Sequence, residues 1–189
     1  LGGGGNFSAQ IIVSDDFTMP FDISAADFDL DNDIDLVCSA MGGNEIRLFS
    51  NSDGAGSFVP AQMISNVCKQ PKGLAPGDFD DDGDMDVVAA LSQQDPDEVV
   101  WYENGEAAFV VHTINKNRDV WEIAIHDINN DGNKDIFYSD GQAVCWIENL
   151  NSAQSFGDET ILWQGYNIFE IALNDIDNDE DQDLFIADA

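Results

Sequence analysis

The 189-residue chain carries six basic and 38 acidic residues, a formal charge of −32, so nucleic acid and anionic membranes are excluded as partners. Its hydrophobic share of 43%, with 12 Phe, is far from the composition of a disordered acidic tail. No apolar run reaches the roughly 18 residues that a membrane-spanning helix needs.

The opening LGGGGNFSAQ has neither the basic start nor the apolar centre of a signal peptide. A strand is expected from Phe7 (FSAQIIV), and FDISAA then leads into DFDLDNDID, Asp27 to Asp35. LVCS and EIRLFSN follow, and FVPAQMI begins at Phe58. The same order returns as KGLAPG, DFDDDGDMD (Asp78 to Asp86), VVAA, VVWYEN and FVVHTI from Phe109. It returns again as WEIAIH, DINNDGNKD (Asp127 to Asp135), IFYS, VCWIEN and FGDETIL from Phe156. The chain closes on FEIALN, DIDNDEDQD (Asp175 to Asp183) and LFIA. The first aspartates are spaced by 51, 49 and 48 residues, so the internal repeat sets the architecture.

Each repeat reads as four short strands, A to D, with the acidic run as the A–B hairpin. Before the run, a branched aliphatic residue (Ile23, Leu74, Ile123, Ile171) alternates with a small one (Ser24, Ala75, Ala124, Ala172), a period of two. Strand B is apolar on both faces, as in a sheet covered on both sides. Such sheets must stack, and radial stacking gives an all-β propeller, with small residues on strand A where blades converge. A linear solenoid is the alternative. The expected layout is a preceding outer strand within 1–20, blades at 21–64, 72–114 and 120–163, and two strands of a further blade at 168–189. That layout implies part of a larger propeller, or one completed by another copy, with self-association through unfinished sheet edges. Cys38 and Cys145 read as core residues, Cys68 has no clear place, and three cysteines make no disulfide framework.

The four acidic windows hold 20 of the 38 acidic residues. Their spacing brings oxygen side chains inward from positions 1, 3, 5 and 9, with position 7 adding its main-chain carbonyl. The candidate ligands are Asp27, Asp29, Asp31, Asp33 and Asp35; Asp78, Asp80, Asp82, Asp84 and Asp86; Asp127, Asn129, Asp131, Asn133 and Asp135; and Asp175, Asp177, Asp179, Asp181 and Asp183. Six to eight hard oxygens suit Ca²⁺, one ion per loop and about four in all, with Mg²⁺ the lesser choice. Loops without His or Cys disfavour transition metals. Position 12 holds Cys38, Ala89, Tyr138 or Ile186 instead of Glu, which excludes an EF-hand. Position 6 needs a sharp turn: Gly83 and Gly132 fit, Asn32 is acceptable and Glu180 is not a natural choice. Asp81 is expected to face water, and Asp84 to offer mainly its carbonyl.

Together the four loops, the WYEN and WIEN strands and the aromatic opening strand D resemble the FG-GAP/VCBS repeat family, calcium-loop propellers related to the integrin α-subunit head. The resemblance implies a propeller, commonly seven-bladed, whose loops each bind one Ca²⁺ on one face. Ligands are then expected on the opposite face, at the D–A and B–C connections. The Gly-Ala-Pro element of the family is missing after each loop, which points to the bacterial VCBS variety.

The leading function is an extracellular, calcium-bound adhesion or binding module of a secreted parent, recognising protein or glycan. The D–A connections carry Lys69, Lys72, Lys116 and Arg118, with Trp121 and Tyr166 as sugar-stacking candidates; Trp121 reads first as an inter-blade core residue. A polysaccharide lyase or hydrolase is an alternative, with Asp22, Glu122 and Glu170 clustered near the axis. Neither His112 nor His126 has an assignable partner, and no catalytic constellation is found, so the chain is not read as an enzyme. A structural spacer of a large surface protein is the third reading.

Overall fold

The computed structural model describes residues 10–59, 62–92, 96–105, 107–116, 118–168, 170–177, 179 and 182–187. All regular structure among them is antiparallel strand. The first sheet joins β1 (Pro20–Ala26), β2 (Asp35–Ala40), β3 (Glu45–Phe49) and β4 (Met63–Ser65) in that order. The second joins β5 (Pro71–Gly77), β6 (Asp86–Leu91), β7 (Glu98–Asn104) and β8 (Phe109–Lys116). In the third, β9 (Glu122–His126), β10 (Asp135–Ser139) and β11 (Ala143–Ile147) lead through a short ladder, β12 (Asn149–Leu150) with β13 (Ser155–Phe156), to β14 (Thr160–Gln164). β15 (Glu170–Asn174) and β16 (Asp183–Ala187) make a two-stranded sheet.

One register governs all four A–B hairpins. The pairs Ala26–Asp35, Gly77–Asp86, His126–Asp135 and Asn174–Asp183 close each hairpin at the residue before the first loop aspartate and at the ninth loop position. The second strands of the three large sheets are buried, β6 and β10 along their whole length. This is the covered central strand that two apolar faces demand.

Successive sheets touch through their first strands, β1 with β5, β5 with β9 and β9 with β15. Small residues make this approach possible. Ser24 Oγ donates to Leu74 O (3.1 Å), and Ser39 Oγ donates to Lys72 O (2.8 Å). A methyl group on Gly73 would lie 3.0 Å from Trp121 O, so this first-strand contact requires glycine. Between the sheets, position 2 of the first three loops acts as a plug. Phe28 (4% exposed) joins the core between the first two sheets, and Phe79 (1%) joins the core between the second and third. Phe79 stacks on Phe156 (5.9 Å) and meets Trp101 edge-on (5.7 Å). Ile128 packs against the third cluster, whereas Ile176 stands 67% exposed beside the two-stranded sheet.

The fourth strands depart from the expected pattern. Phe109 opens β8, but Phe58 lies before an isolated Ser50–Val59 bridge and β4 keeps three residues. Phe156 belongs to β13 and not to β14. Positive φ at Asn151, Ser152 and Ala153 winds the preceding turn and sends Phe156 onto Phe79 instead of along the outer strand. Phe7 lies outside the described residues, and residues 10–13 form no strand. The segment that follows lies on the first sheet: Phe17 packs on Phe49 (5.7 Å) beneath the Arg47 guanidinium (4.7 Å). Cys38 and Cys145 are buried as expected, and Cys68 is buried too, its thiol donating to Asn44 O (3.3 Å).

If Phe79 locks two sheets together, Phe79→Ala should cost about 3–5 kcal/mol in urea unfolding. The same truncation at exposed Ile176 should change stability of this chain by less than about 0.5 kcal/mol.

Candidate metal centre

Each acidic loop is wound by its own carboxylates. The first aspartate accepts the amides of positions 5 and 6: Asp27 from Asp31 (3.1 Å) and Asn32 (3.0 Å), Asp127 from Asp131 (3.0 Å) and Gly132 (2.9 Å). The position 5 carboxylate accepts the amide of position 7, as Asp31 does from Asp33 (2.8 Å) and Asp82 from Asp84 (3.1 Å). Positions 4 and 6 turn left-handed. Gly83, Gly132 and Asn32 supply position 6, and Leu30, Asp81 and Asn130 supply position 4. In the three large sheets the ninth aspartate is buried and ties loop to sheet. Asp86 Oδ2 accepts the Phe79 amide (3.1 Å), and its Oδ1 accepts that of Asn104 (2.7 Å). Asp35 does the same for Phe28 (2.9 Å) and Asn51 (2.8 Å), and Asp135 accepts from Asn149 (2.9 Å).

What remains after these bonds is a concentration of oxygen. In three loops, one oxygen from each of three carboxylates lies within 4.8 Å of the others: Asp27, Asp29 and Asp35; Asp78, Asp80 and Asp82; Asp175, Asp177 and Asp183. Ligands across one Ca²⁺ stand roughly 4.6–5.2 Å apart, twice the usual bond length, so such a spread suits one ion. The second loop adds a stronger observation. Asp78 Oδ1, Asp80 Oδ1 and Asp84 Oδ1 are buried atoms with no hydrogen-bond partner. Burial first, then the carboxylates of Asp82 and Asp80, pushes Asp84 up to about 6. Burial pushes Asp86 up to about 7, and it raises Asp80, Asp29 and Asp33, each with neighbouring acids contributing. Unpaired buried carboxylates are costly. The donor set is all hard oxygen and fits a divalent cation.

The sequence model of the FG-GAP-like repeat matches residues 27–89, 78–138 and 127–186, three overlapping stretches each running from one acidic loop into the next repeat. This chain belongs to the FG-GAP-like repeat family. Among curated proteins none matches it significantly. A similar solved structure is the crystal structure of the V. cholerae biofilm matrix protein Bap1, at 18% identity and a TM-score of 0.46. The likeness covers 90% of this chain and 28% of that one.

The FG-GAP-like loops are not equivalent. In the third, Asn129 donates its amide to Asp131 Oδ2 (3.1 Å) and Glu148 Oε1 (3.0 Å), supplying internally the positive dipole that the other loops lack. Asn133 Oδ1 accepts the Ser152 amide (2.9 Å) and so faces the next turn. In the fourth, Asp179 donates its amide to Asp175 (3.2 Å), while Asp181 and Glu180 lie outside the described residues. Asp81 is exposed as expected. Asp84 differs from expectation, because its side chain also turns inward. The strand-end glutamates were not legible as loop groups. Glu148 reaches Asn129, and the charge of Glu103 raises Asp80 while its carboxylate holds His112 Nε2 (2.6 Å). In the first loop Asp53 stands against Asp33 in the same way. Their only signal is the Glu before Asn104 and Asn149.

On the opposite side, the expectation that Trp121 is core fails: its amide joins the sheet by donating to Ser139 O (2.8 Å), but the residue stands at the entrance of β9 and is 45% exposed. Tyr166 is 79% exposed. Lys72 is no surface cation, being buried at 5% and paired with Asp119 (2.6 Å). Arg118 pairs with Asp140 and Glu159, Lys69 is exposed, and the Lys116 side chain lies outside the described set. Asp22, Glu122 and Glu170 do approach one another: burial first, then those two acids, pushes Glu122 up to about 7. His126 Nδ1 lies 3.2 Å from Asp127 O.

Acids with raised values stabilise the fold only while protonated, so their contribution is complete below about pH 4 and is lost as pH rises through 6–7. Metal-free protein should therefore melt lower at pH 8 than at pH 5, and saturating Ca²⁺ should reverse that order in a calorimetric scan. Leu30, 59% exposed with φ of 58°, should gain about 0.5–1 kcal/mol as Leu30→Asn, read by chemical denaturation.

Proposed function

We propose that this chain is a calcium-braced, non-catalytic module of an extracellular protein, which recognises a protein or glycan on the face opposite its acidic loops. The observation that carries the reading is the trio of buried, unpartnered oxygens on Asp78, Asp80 and Asp84. Ca²⁺ is favoured over Mg²⁺ because the loops crowd many carboxylates and carbonyls into one place, and Mg²⁺ keeps more of its water. Weak, solvent-near sites of this kind fill at the millimolar calcium found outside cells. No described helix is long and apolar enough to cross a membrane.

The contacts of successive sheets along their first strands support a radial reading. We read the three four-stranded sheets as blades and the β15–β16 pair as the start of another. Exposed Ile161, Trp163 and Phe185 then mark where further blades, or another copy, complete the ring. Asp22, Glu122 and Glu170 line its axis as like charges, and a hydrolase would need an acid and a base with separate partners. Binding is the better use of this scaffold.

Calcium titration of chelator-stripped chain tests the reading. Ca²⁺ should raise the melting temperature progressively through the millimolar range, as mass action requires. Asp78→Asn with Asp80→Asn should remove one ion and that loop's share of the stabilisation, leaving the rest. A melting temperature indifferent to chelator in metal-free buffer would sink the proposal.

A further inference from the structure

Three clefts adjoin one another at the D–A and B–C connections, the ends of the strands away from the acidic loops. The first, of about 500 Å³, includes Phe21, Lys72, Asp119 and Trp121 in its lining. The second, of about 550 Å³, lies between Trp121 and Tyr166. The third, of about 500 Å³, runs from Tyr166 past Arg118 to Gln164. Trp121 borders the first and second clefts, and Tyr166 borders the second and third. They therefore form one trough, partitioned by two exposed aromatic rings.

The partitions are held in place. Trp121 Nε1 donates to Asp119 Oδ2 (3.3 Å), and Lys72 Nζ lies 4.3 Å from the indole centre. Lys72 lines the first cleft and not the second, so the indole face turned to the second cleft is the one open to a ligand. Apart from Asp97 in the first cleft, the acids of the trough are matched. Asp119 holds Lys72 and Ser92, and Asp140 holds Arg118 (2.5 Å) and the amides of Gln142 (2.9 Å) and Ala143 (2.7 Å). Around the two rings, the amide side chains of Gln142, Gln164 and Asn167 line the walls.

Flat aromatic rings beside amides match the apolar C–H face and the hydroxyl rim of a pyranose. The chain charge of −32 repels a polyanion such as a polyuronate. We infer that the trough binds a linear, neutral oligosaccharide of hexopyranose units, with Trp121 and Tyr166 each stacking on one ring. The inference rests on the recognition-module reading above and names its ligand class.

The test uses the calcium-loaded chain in calorimetric titrations with neutral gluco-, manno- and galacto-configured di- and hexasaccharides, alongside polygalacturonate. At least one neutral hexasaccharide should bind, at least tenfold tighter than its disaccharide, with no loss between 50 and 500 mM salt. Trp121→Ala and Tyr166→Ala should each weaken it at least tenfold while leaving the calcium-dependent melting shift intact. Because Tyr166 is so exposed, its variant keeps the test valid even if Trp121→Ala misfolds. The inference is overturned if no neutral sugar binds, if polygalacturonate binds better, if disaccharide and hexasaccharide bind alike, or if Tyr166→Ala binds as the parent does. A calcium-dependent melting shift with no sugar binding overturns this inference alone. Loss of the calcium shift overturns the module reading separately.

Discussion

The buried carboxylate at the ninth loop position holds each of the three large sheets to its acidic loop. Asp86 is fully buried, yet its two oxygens receive amides from both the start of its own loop and the end of strand β7. Asp35 and Asp135 hold the same place in the other large sheets, each at 1% exposure or less. Backbone donors meet both oxygens of Asp35 and Asp86, which offsets part of the cost of burial, whereas Asp135 Oδ2 has no partner. Through the ninth-position carboxylate, the geometry of the acidic loop is coupled to the second and third strands. The third strand returns the bond: Asn149 Nδ2 donates to Lys134 O (3.1 Å) in its own repeat and to Phe79 O (3.0 Å) in the preceding one. One side chain therefore joins two loops.

This coupling gives the carboxylate crowding a structural consequence. Six carboxylates between Asp78 and Asp86 repel one another, and the strain falls on a loop whose second residue, Phe79, plugs the adjoining core. A divalent ion that relieves the repulsion also fixes the plug. The third loop takes a different route, with Asn129 donating to two acids, and so depends less on an ion. Variation among loops is thus variation in how like charge is neutralised, with the fold unchanged.

The loops and hairpin register were legible in the sequence because both follow from local spacing repeated four times. Position 6 needed a residue tolerant of positive φ, and Asn32, Gly83 and Gly132 adopt it. The fourth strands were not legible, because turn conformation decides them. Phe156 looks like a strand opener in sequence, yet its ring is claimed by Phe79 in the adjoining repeat. Trp121 was misjudged for a related reason: nothing local tells whether an aromatic at a strand entrance meets a neighbouring sheet or solvent. Glu103 and Glu148 carry no local sign of a loop role, because in sequence each only precedes the Asn that ends its strand. Their reach into the loop depends on the strand pairing that brings β7 and β11 beside the hairpin.

Antiparallel pairing divides the molecule by chemistry as well as by space. Every A–B turn falls at one end of the sheets and every B–C and D–A connection at the other. The loop end collects acidic charge that must be neutralised before the sheets lock. At the other end Lys72 pairs with Asp119 and Arg118 with Asp140 and Glu159, while Lys69, Trp121 and Tyr166 stand at the surface. Because both ends share the same strands, an ion at the loop end would rigidify the platform at the other without taking part in contact. Removing calcium should therefore weaken binding through the population of ordered sheets, not through any change in the trough's own groups.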